Sequence, residues 1–257
     1  MLPLSPNGRK ALPFLAQLGD LILIQLSNWR WSWRGTLITG MIAPVLNIVV
    51  LGIFARDSRP DALAYVLTGN VVLALMFENL NKVAGNFAFM RVMKTLDYFA
   101  TLPIRGASLV LATVIAFLVL SLPAQIVTLL FGSVYLQVPL QVHPLIVVVI
   151  PLAAAALSGI GAMIGTLART PEEAGSLSLL VTLFLLGIGP VILTPDRLPS
   201  FMLVVSQFSP ATYVASALRQ MLLGPVTARV WLDIGVLAVL AFVLLRWVET
   251  RLTWRRA

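Results

Sequence analysis

Cysteine is absent from this chain and charge is scarce. Without a thiol there is no disulfide, no thiolate metal site and no Cys nucleophile. The only histidine is His143, beside Pro144. A lone imidazole lacks the partners that a metal centre or a nucleophilic triad needs, so it reads as a solvated loop residue. Charged residues make up 11% of the sequence and hydrophobic ones 59%, far from the roughly 25% charged of a soluble domain. The Gly-x-x-x-x-Gly-Lys-Ser/Thr phosphate loop is missing, which removes ATP binding by that route. No convergent polar cluster appears, so the chain is not read as an enzyme, and no bound cofactor or metal is expected. Between Arg105 and Arg169 there is no Asp, Glu, Lys or Arg at all.

That charge-free interval is long enough for two membrane crossings and a turn, because a bilayer core of about 30 Å needs roughly 20 helical residues. Its ends then emerge on one side, each marked by an arginine. Hydropathy along the rest of the chain places six spans, at about Gly35–Ala55, Ala62–Leu80, Ser108–Phe131, Leu145–Leu167, Ala174–Leu193 and Val230–Val248. Pro60 suits the start of the second, and Pro123 would kink the third. The fold expected is an all-α polytopic membrane protein. Residues 1–34 form an N-terminal segment, 35–248 one six-span domain, and 249–257 a basic tail.

The N-terminal segment does not resemble a cleavable signal, because Pro13, Gln17, Asp20 and Gln25 break its apolar part. Ala11–Trp33 reads as an amphipathic helix on the membrane face, with Leu15, Leu18, Ile22 and Leu26 on one side. Trp29, Trp31, Trp33, Arg30 and Arg34 suit the headgroup zone. Counting basic residues with both termini inside puts Arg9, Lys10, Arg30, Arg34, Lys82, Arg91, Lys94, Arg105, Arg169, Arg246, Arg251, Arg255 and Arg256 on the inner side. Only Arg56, Arg59, Arg197, Arg219 and Arg229 fall outside. By the positive-inside rule the segment after span two is cytoplasmic, and the excess of positive charge needs no nucleic-acid partner. Glu78 and Asp233 read as interfacial. A carrier driven by ions or protons needs ionisable groups in mid-span, so that class is disfavoured. Small residues crowd span four (Ala153 to Ala156, Gly159, Gly161, Gly165) and could pack the monomer or a dimer seam. Glu172 and Glu173 follow Pro171, where acidic residues complement a helix dipole.

The segment RVMKTLDYFATLPIRG is amphipathic, with Arg91, Lys94, Leu96, Phe99 and Leu102, and stops at Pro103. Periodicity alone allows it to rest on lipid or to dock on a soluble partner. Here the chain resembles the permeases of ABC-2 type exporters. In that family a Thr-Leu-acidic stretch leads to a Leu, a Pro and a basic residue before span three. Thr95, Leu96, Asp97, Leu102, Pro103 and Arg105 stand in those places. Leu167 to Ile192 is similar to the family's second inner loop and fifth span, with Arg169, Pro171, Glu172 and Glu173 in the loop. Gln207 to Gly224 resembles its extracytoplasmic stretch, matched by Pro210, Thr212, Tyr213, Leu218 and Arg219. Ser209 departs from the family's Asn, and no glycine precedes Thr95.

The resemblance implies a transmembrane permease of the cell inner membrane, multi-pass, with both termini cytoplasmic. It would pair with two separate ABC ATPase subunits and with a second copy or a sister permease. ATP and Mg would be bound by those ATPase subunits. Arg91, Lys94, Thr95, Leu96, Asp97, Tyr98, Phe99, Leu102, Pro103 and Arg105 would form the coupling helix and its flanks. Short re-entrant helices would lie between spans five and six. The almost uncharged walls suit a hydrophobic or amphipathic cargo, such as a drug-like molecule, a lipid or a lipid-linked glycan. The alternatives are a cytochrome-maturation-type permease or assembly factor, and an ATP-independent carrier.

Overall fold

The computed structural model describes residues 13–55, 60–102 and 104–251, with side chains excepted at 28–39, 55, 60, 61 and 100. Among them every regular element is helical. Apolar residues without charge cannot leave backbone groups bare in lipid, and helices satisfy those groups internally. In chain order the helices are α1 (Phe14–Leu37), α2 (Ala43–Ala55), α3 (Pro60–Leu75), α4 (Lys82–Val92), α5 (Thr95–Thr101), α6 (Gly106–Leu136) and α7 (Ile146–Leu167). They continue with α8 (Pro171–Ile188), α9 (Ser200–Ser206), α10 (Pro210–Leu223) and α11 (Arg229–Arg251). π-helical turns at Ile38–Ile42 and Met76–Asn81 join α1 to α2 and α3 to α4.

Five helices are long and apolar enough to cross a membrane: Ala62–Val92, Gly106–Leu136, Ile146–Leu167, Pro171–Ile188 and Arg229–Arg251. The expected first span corresponds to Gly40–Phe54, which is shorter. The second span differs most from expectation. Instead of ending near Leu80 it continues as one helix to Val92, because the π turn absorbs Glu78 and Asn81 without breaking the rod. The third remains helical past Pro123 and reaches Leu136. The fifth stops five residues early, at Gly189–Pro190, where the backbone turns extended. Between α8 and α11 the pair α9–α10 is bent by 88°, the geometry of a re-entrant excursion. The N-terminal stretch before Pro13, the turn 56–59, Pro103 and the basic tail after Arg251 lie outside the described residues.

Helix α7 forms the centre, packed against span two, α10 and α11. Its small residues make this possible. A Cβ on Gly161 would strike the backbone carbonyl of Leu80, one on Gly165 the carbonyl of Ala84, and one on Gly159 the side chain of Leu244. Those glycines, with Ala153, Ala154 and Ala156, are buried inside the single chain. They therefore serve its own packing.

The N-terminal helix runs beside α6 in the same direction. Gln17 meets Ser108, Gln25 meets Thr113, the Gly40 position faces Ala124, and Gly52 faces Leu136. Helix α1 is amphipathic as expected, but its docking face includes the polar residues that had read as interruptions. Gln17, Leu21 and Gln25 are buried on that face. The Gln17 side-chain carbonyl accepts from the Arg105 backbone N–H at 3.2 Å and from the Ser108 hydroxyl at 3.3 Å. Gln25 donates its amide to Thr113 Oγ1 at 3.1 Å. Gln17 thus serves one of the orphan donors at the start of α6. Leu15 stays 78% exposed. The aromatic and basic side chains of Trp29 to Arg34 lie outside the described ones.

Candidate functional site

The matched segments gather at two ends of the bundle. At one end α4 stops at Met93, Lys94 takes the left-handed conformation (φ 55), and α5 starts at Thr95. That single residue breaks the helical path between α4 and α5. Only a short side-stepping helix fits between Lys94 and the extended residues Leu102 and Arg105, which lead into α6.

Helix α5 divides its residues sharply. Phe99 is 6% exposed and packs in a cluster with Leu21, Phe87, Met90 and Leu109, joined by the half-buried Leu96 and Leu102. Tyr98 is 63% exposed, and Asp97 and Thr101 are exposed beside it. Arg91, Val92, Met93 and Lys94 continue the exposed surface. The inner face anchors the helix, and the outer face offers a cation, a carboxylate, an aromatic ring and apolar side chains. Pro103 falls outside the described residues, so its part in ending α5 is not placed.

The second loop lies against the first. Arg91 donates from Nη1 to the carbonyls of Thr166 (2.9 Å) and Ala168 (3.2 Å), at the end of α7. A guanidinium there satisfies carbonyls that the helix leaves open and complements its dipole. Ala88, Ala168 and Ala174 are buried together just behind it. Arg91 and Arg169, far apart in sequence, therefore border one surface. Within the loop Thr170 accepts from the Glu173 N–H at 3.2 Å, and Glu173 Oε2 accepts from the Arg169 N–H at 2.8 Å. Thr170 thus caps the start of α8, Glu173 reaches back past it to the preceding N–H, and Pro171 stands at the first helical position. Both glutamates are exposed, and Glu173 has a structural task.

At the opposite end Pro210 opens α10, and Tyr213 donates its hydroxyl to the Gln207 carbonyl at 2.6 Å, fixing the corner between α9 and α10. Leu218 is fully buried and Thr212 nearly so. Arg219 sits with its guanidinium carbon 3.4 Å from the Tyr65 ring centroid and donates to the carbonyls of Pro190 (3.4 Å) and Val191 (3.2 Å). Gly69, one turn from Tyr65, allows that same turn to press on α3. Arg219 hence ties α10, α3 and the end of α8 into one knot. Replacing it by Met should remove charged hydrogen bonds and a cation–π contact. The expected cost is about 2 kcal/mol, seen as a melting temperature lower by several degrees, with Arg219→Lys recovering little because an ammonium cannot reach both partners and cover the ring.

His143 lies in the α6–α7 loop, where its backbone N–H donates to the Met221 carbonyl at 2.8 Å. Asp233, near the start of α11, is buried by protein and accepts from Ser216 at 2.6 Å and from Gln220 at 3.3 Å.

Glu78 departs from its expected interfacial place. It is fully buried in the π turn, and Lys82 donates to both its oxygens at 2.6 Å. Leu80 lies against Gly161, six residues before the end of α7. Glu78 is therefore roughly 12 Å inside that end at 1.5 Å per residue. The i, i+4 spacing of Glu78 and Lys82 was the available signal. It was hidden because Lys82 was counted among the inner positive charges.

The comparison with known families covers most of these elements. The model of the ABC-2 type transporter family matches residues 17–223, from the docking residue Gln17 to the end of α10. No curated protein matches the chain. A family match over most of the length, on five to six apolar crossings with a short helix between Ala62–Val92 and Gly106–Leu136, leaves one assignment: the chain belongs to the ABC-2 type transporter family and is the membrane-embedded permease component of an ABC transporter.

Proposed function

We propose that this chain is the permease of an ATP-driven exporter that works by alternating access, powered by separate ATPase subunits docking on α5. The observation that carries the reading is the split of α5: Phe99 and Leu96 held in the bundle, Lys94, Asp97 and Tyr98 presented outward. A seven-residue helix gains little by itself. Tied by Phe99 to α4 and α6, it moves with two spans at once. Arg91 and the α7 carbonyls bring the second loop onto the same surface, so a partner there touches four spans.

On this reading α5 is the coupling helix and that end of the bundle is cytoplasmic, with both termini on the same side. Residues 1–34 are the N-terminal segment, 35–248 the transport domain and 249–257 the tail. Two ATPase subunits bind ATP and Mg, and a second permease completes the pathway. The α9–α10 corner closes the outer side. Cargo is hydrophobic or amphipathic, because the spans are nearly free of charge.

Purification of the native complex from membranes tests this. An ATPase subunit at equal stoichiometry with the permease is expected. A chain recovered without any ATPase, under conditions that preserve other ABC complexes, would overturn the reading.

A further inference from the structure

We propose that the Lys82 ammonium, held at membrane depth by Glu78, is a binding point for the oxyanion headgroup (phosphate or carboxylate) of an amphipathic molecule. The permease reading supplies only the purpose of such binding, since the binding itself requires no ATPase.

A lysine near the end of a span ordinarily stretches toward the water, carrying its charge out of the apolar layer. Lys82 does the reverse. It reaches back one turn, away from Arg91 and Lys94, and bonds both oxygens of Glu78. The carboxylate is sealed, its side chain 1% exposed, while the Lys82 side chain is 24% exposed. Of the two side chains, the one open to an approaching molecule is therefore the cationic one. An ammonium has three N–H donors, and Glu78 takes two, so one remains for an incoming acceptor.

The pair is poorly explained as a stabilising contact. Replacing a buried ion pair by apolar groups of similar volume is often neutral or favourable, because two desolvation costs disappear. Hydrocarbon is a poor neighbour for the open side of an ammonium, so that side calls for a polar occupant.

The surroundings fit a headgroup that arrives from the α5 end. Gly85 follows Lys82 on the same face, and a Cβ placed there would meet nothing within 4 Å. One turn further Phe89 is 51% exposed. Beside the pair, Thr182 of α8 donates to Asn81 at 2.9 Å, and its neighbours Leu179 and Leu183 are exposed. A single cationic donor bordered by open space and apolar side chains matches a molecule with an anionic head and an apolar body. Glu78 acts as the positioning residue, and Gly40 makes room for it, since a Cβ there would overlap the carboxylate.

Native mass spectrometry of the full-length chain in a neutral maltoside detergent tests the site, with lysophosphatidylglycerol and lysophosphatidylcholine as probes. The wild type is expected to bind the anionic probe at least tenfold more tightly. Lys82→Met combined with Glu78→Gln should abolish that preference. Gly85→Leu, which fills the approach without touching the pair, should weaken anionic binding severalfold while the melting temperature stays within a few degrees. It keeps the test decisive if the double variant fails to fold. Arg246→Gln, a surface cation paired with Glu249, should leave the preference intact. Equal binding of the two probes by the wild type overturns the proposal. So does a preference that survives both Gly85→Leu and the double change. Displacement of the anionic probe by millimolar inorganic phosphate would make the site one for free anions and overturn the amphipathic part. Because no ATPase is present, failure here is distinct from failure of the complex to assemble.

Discussion

Asp97→Lys combined with Tyr98→Asp should cut permease-stimulated ATP hydrolysis at least tenfold while leaving the permease folded. Both side chains are exposed on α5, and beyond the tilted ring contact of Tyr98 with Phe99 (centroids 6.1 Å apart) they stand outside the buried cluster, so their replacement costs little inside the chain; surface changes away from special features usually stay within about 0.5 kcal/mol. At a docked interface the same change reverses a carboxylate and removes an aromatic anchor. Tyrosine is enriched among interface hot spots, and losing a hot spot costs about 2 kcal/mol or more. That loss alone exceeds the roughly 1.4 kcal/mol of a tenfold change in a coupling equilibrium. Leu96→Arg would be a poor probe, because Leu96 packs inward beside Phe99 and its loss would be read as misfolding. The measurement is the ratio of ATPase to permease after co-purification, together with hydrolysis rates in reconstituted vesicles. Unchanged stoichiometry and rates with the double variant would remove α5 as the coupling element.

The fold was legible wherever hydropathy alone decides it. The charge-free interval gave the α6–α7 hairpin because no competing signal exists there: without charge, a stretch of that length has one stable place, as helices in lipid. The segment proposed for coupling was legible from Leu96, Phe99 and Leu102 as a short amphipathic helix. Its turn-point was not. Lys94 in the left-handed conformation is unusual for a lysine, and nothing in its neighbours announces it. Polar residues that pack against protein were the main blind spot. Gln17 and Gln25 looked like breaks in an apolar stripe, yet they carry the contact with α6. Hydropathy scores an amide as unfavourable for lipid, but it has no term for an amide that finds Thr113 or the Arg105 N–H. Glu78 was misplaced for a related reason. Ending a span at its first carboxylate is sound unless the next turn supplies a lysine that neutralises it, and here the helix ran on to Val92.

Gly161→Ala should prevent recovery of folded protein, although it adds one methyl group to a helix that would otherwise gain from it. Alanine is favoured over glycine in a helix interior by roughly 0.5–1 kcal/mol, so an isolated α7 would be stabilised. The obstacle is the neighbour. A Cβ at position 161 lands on the carbonyl of Leu80, which is backbone within the π turn and cannot swing aside as a side chain could. Relief requires α7 and span two to separate. That separation would also loosen Gly165 from Ala84 and pull on the buried cluster of Leu75, Met76, Leu80, Leu157 and Ile160. Overpacking of a dense interior commonly costs 1–3 kcal/mol even where side chains can yield, and effects above about 4 kcal/mol are reserved for cases such as this, where two backbones are forced apart. Gly235→Ala is the matched control. It too adds a methyl to a spanning helix, but nothing lies within 4 Å of its Cβ position, so it should purify at wild-type yield with an unchanged or raised melting temperature. Size-exclusion profiles and thermal melts of the two variants, prepared side by side, decide the matter. A monodisperse Gly161→Ala protein melting with the wild type would show that α7 and span two do not meet backbone to backbone.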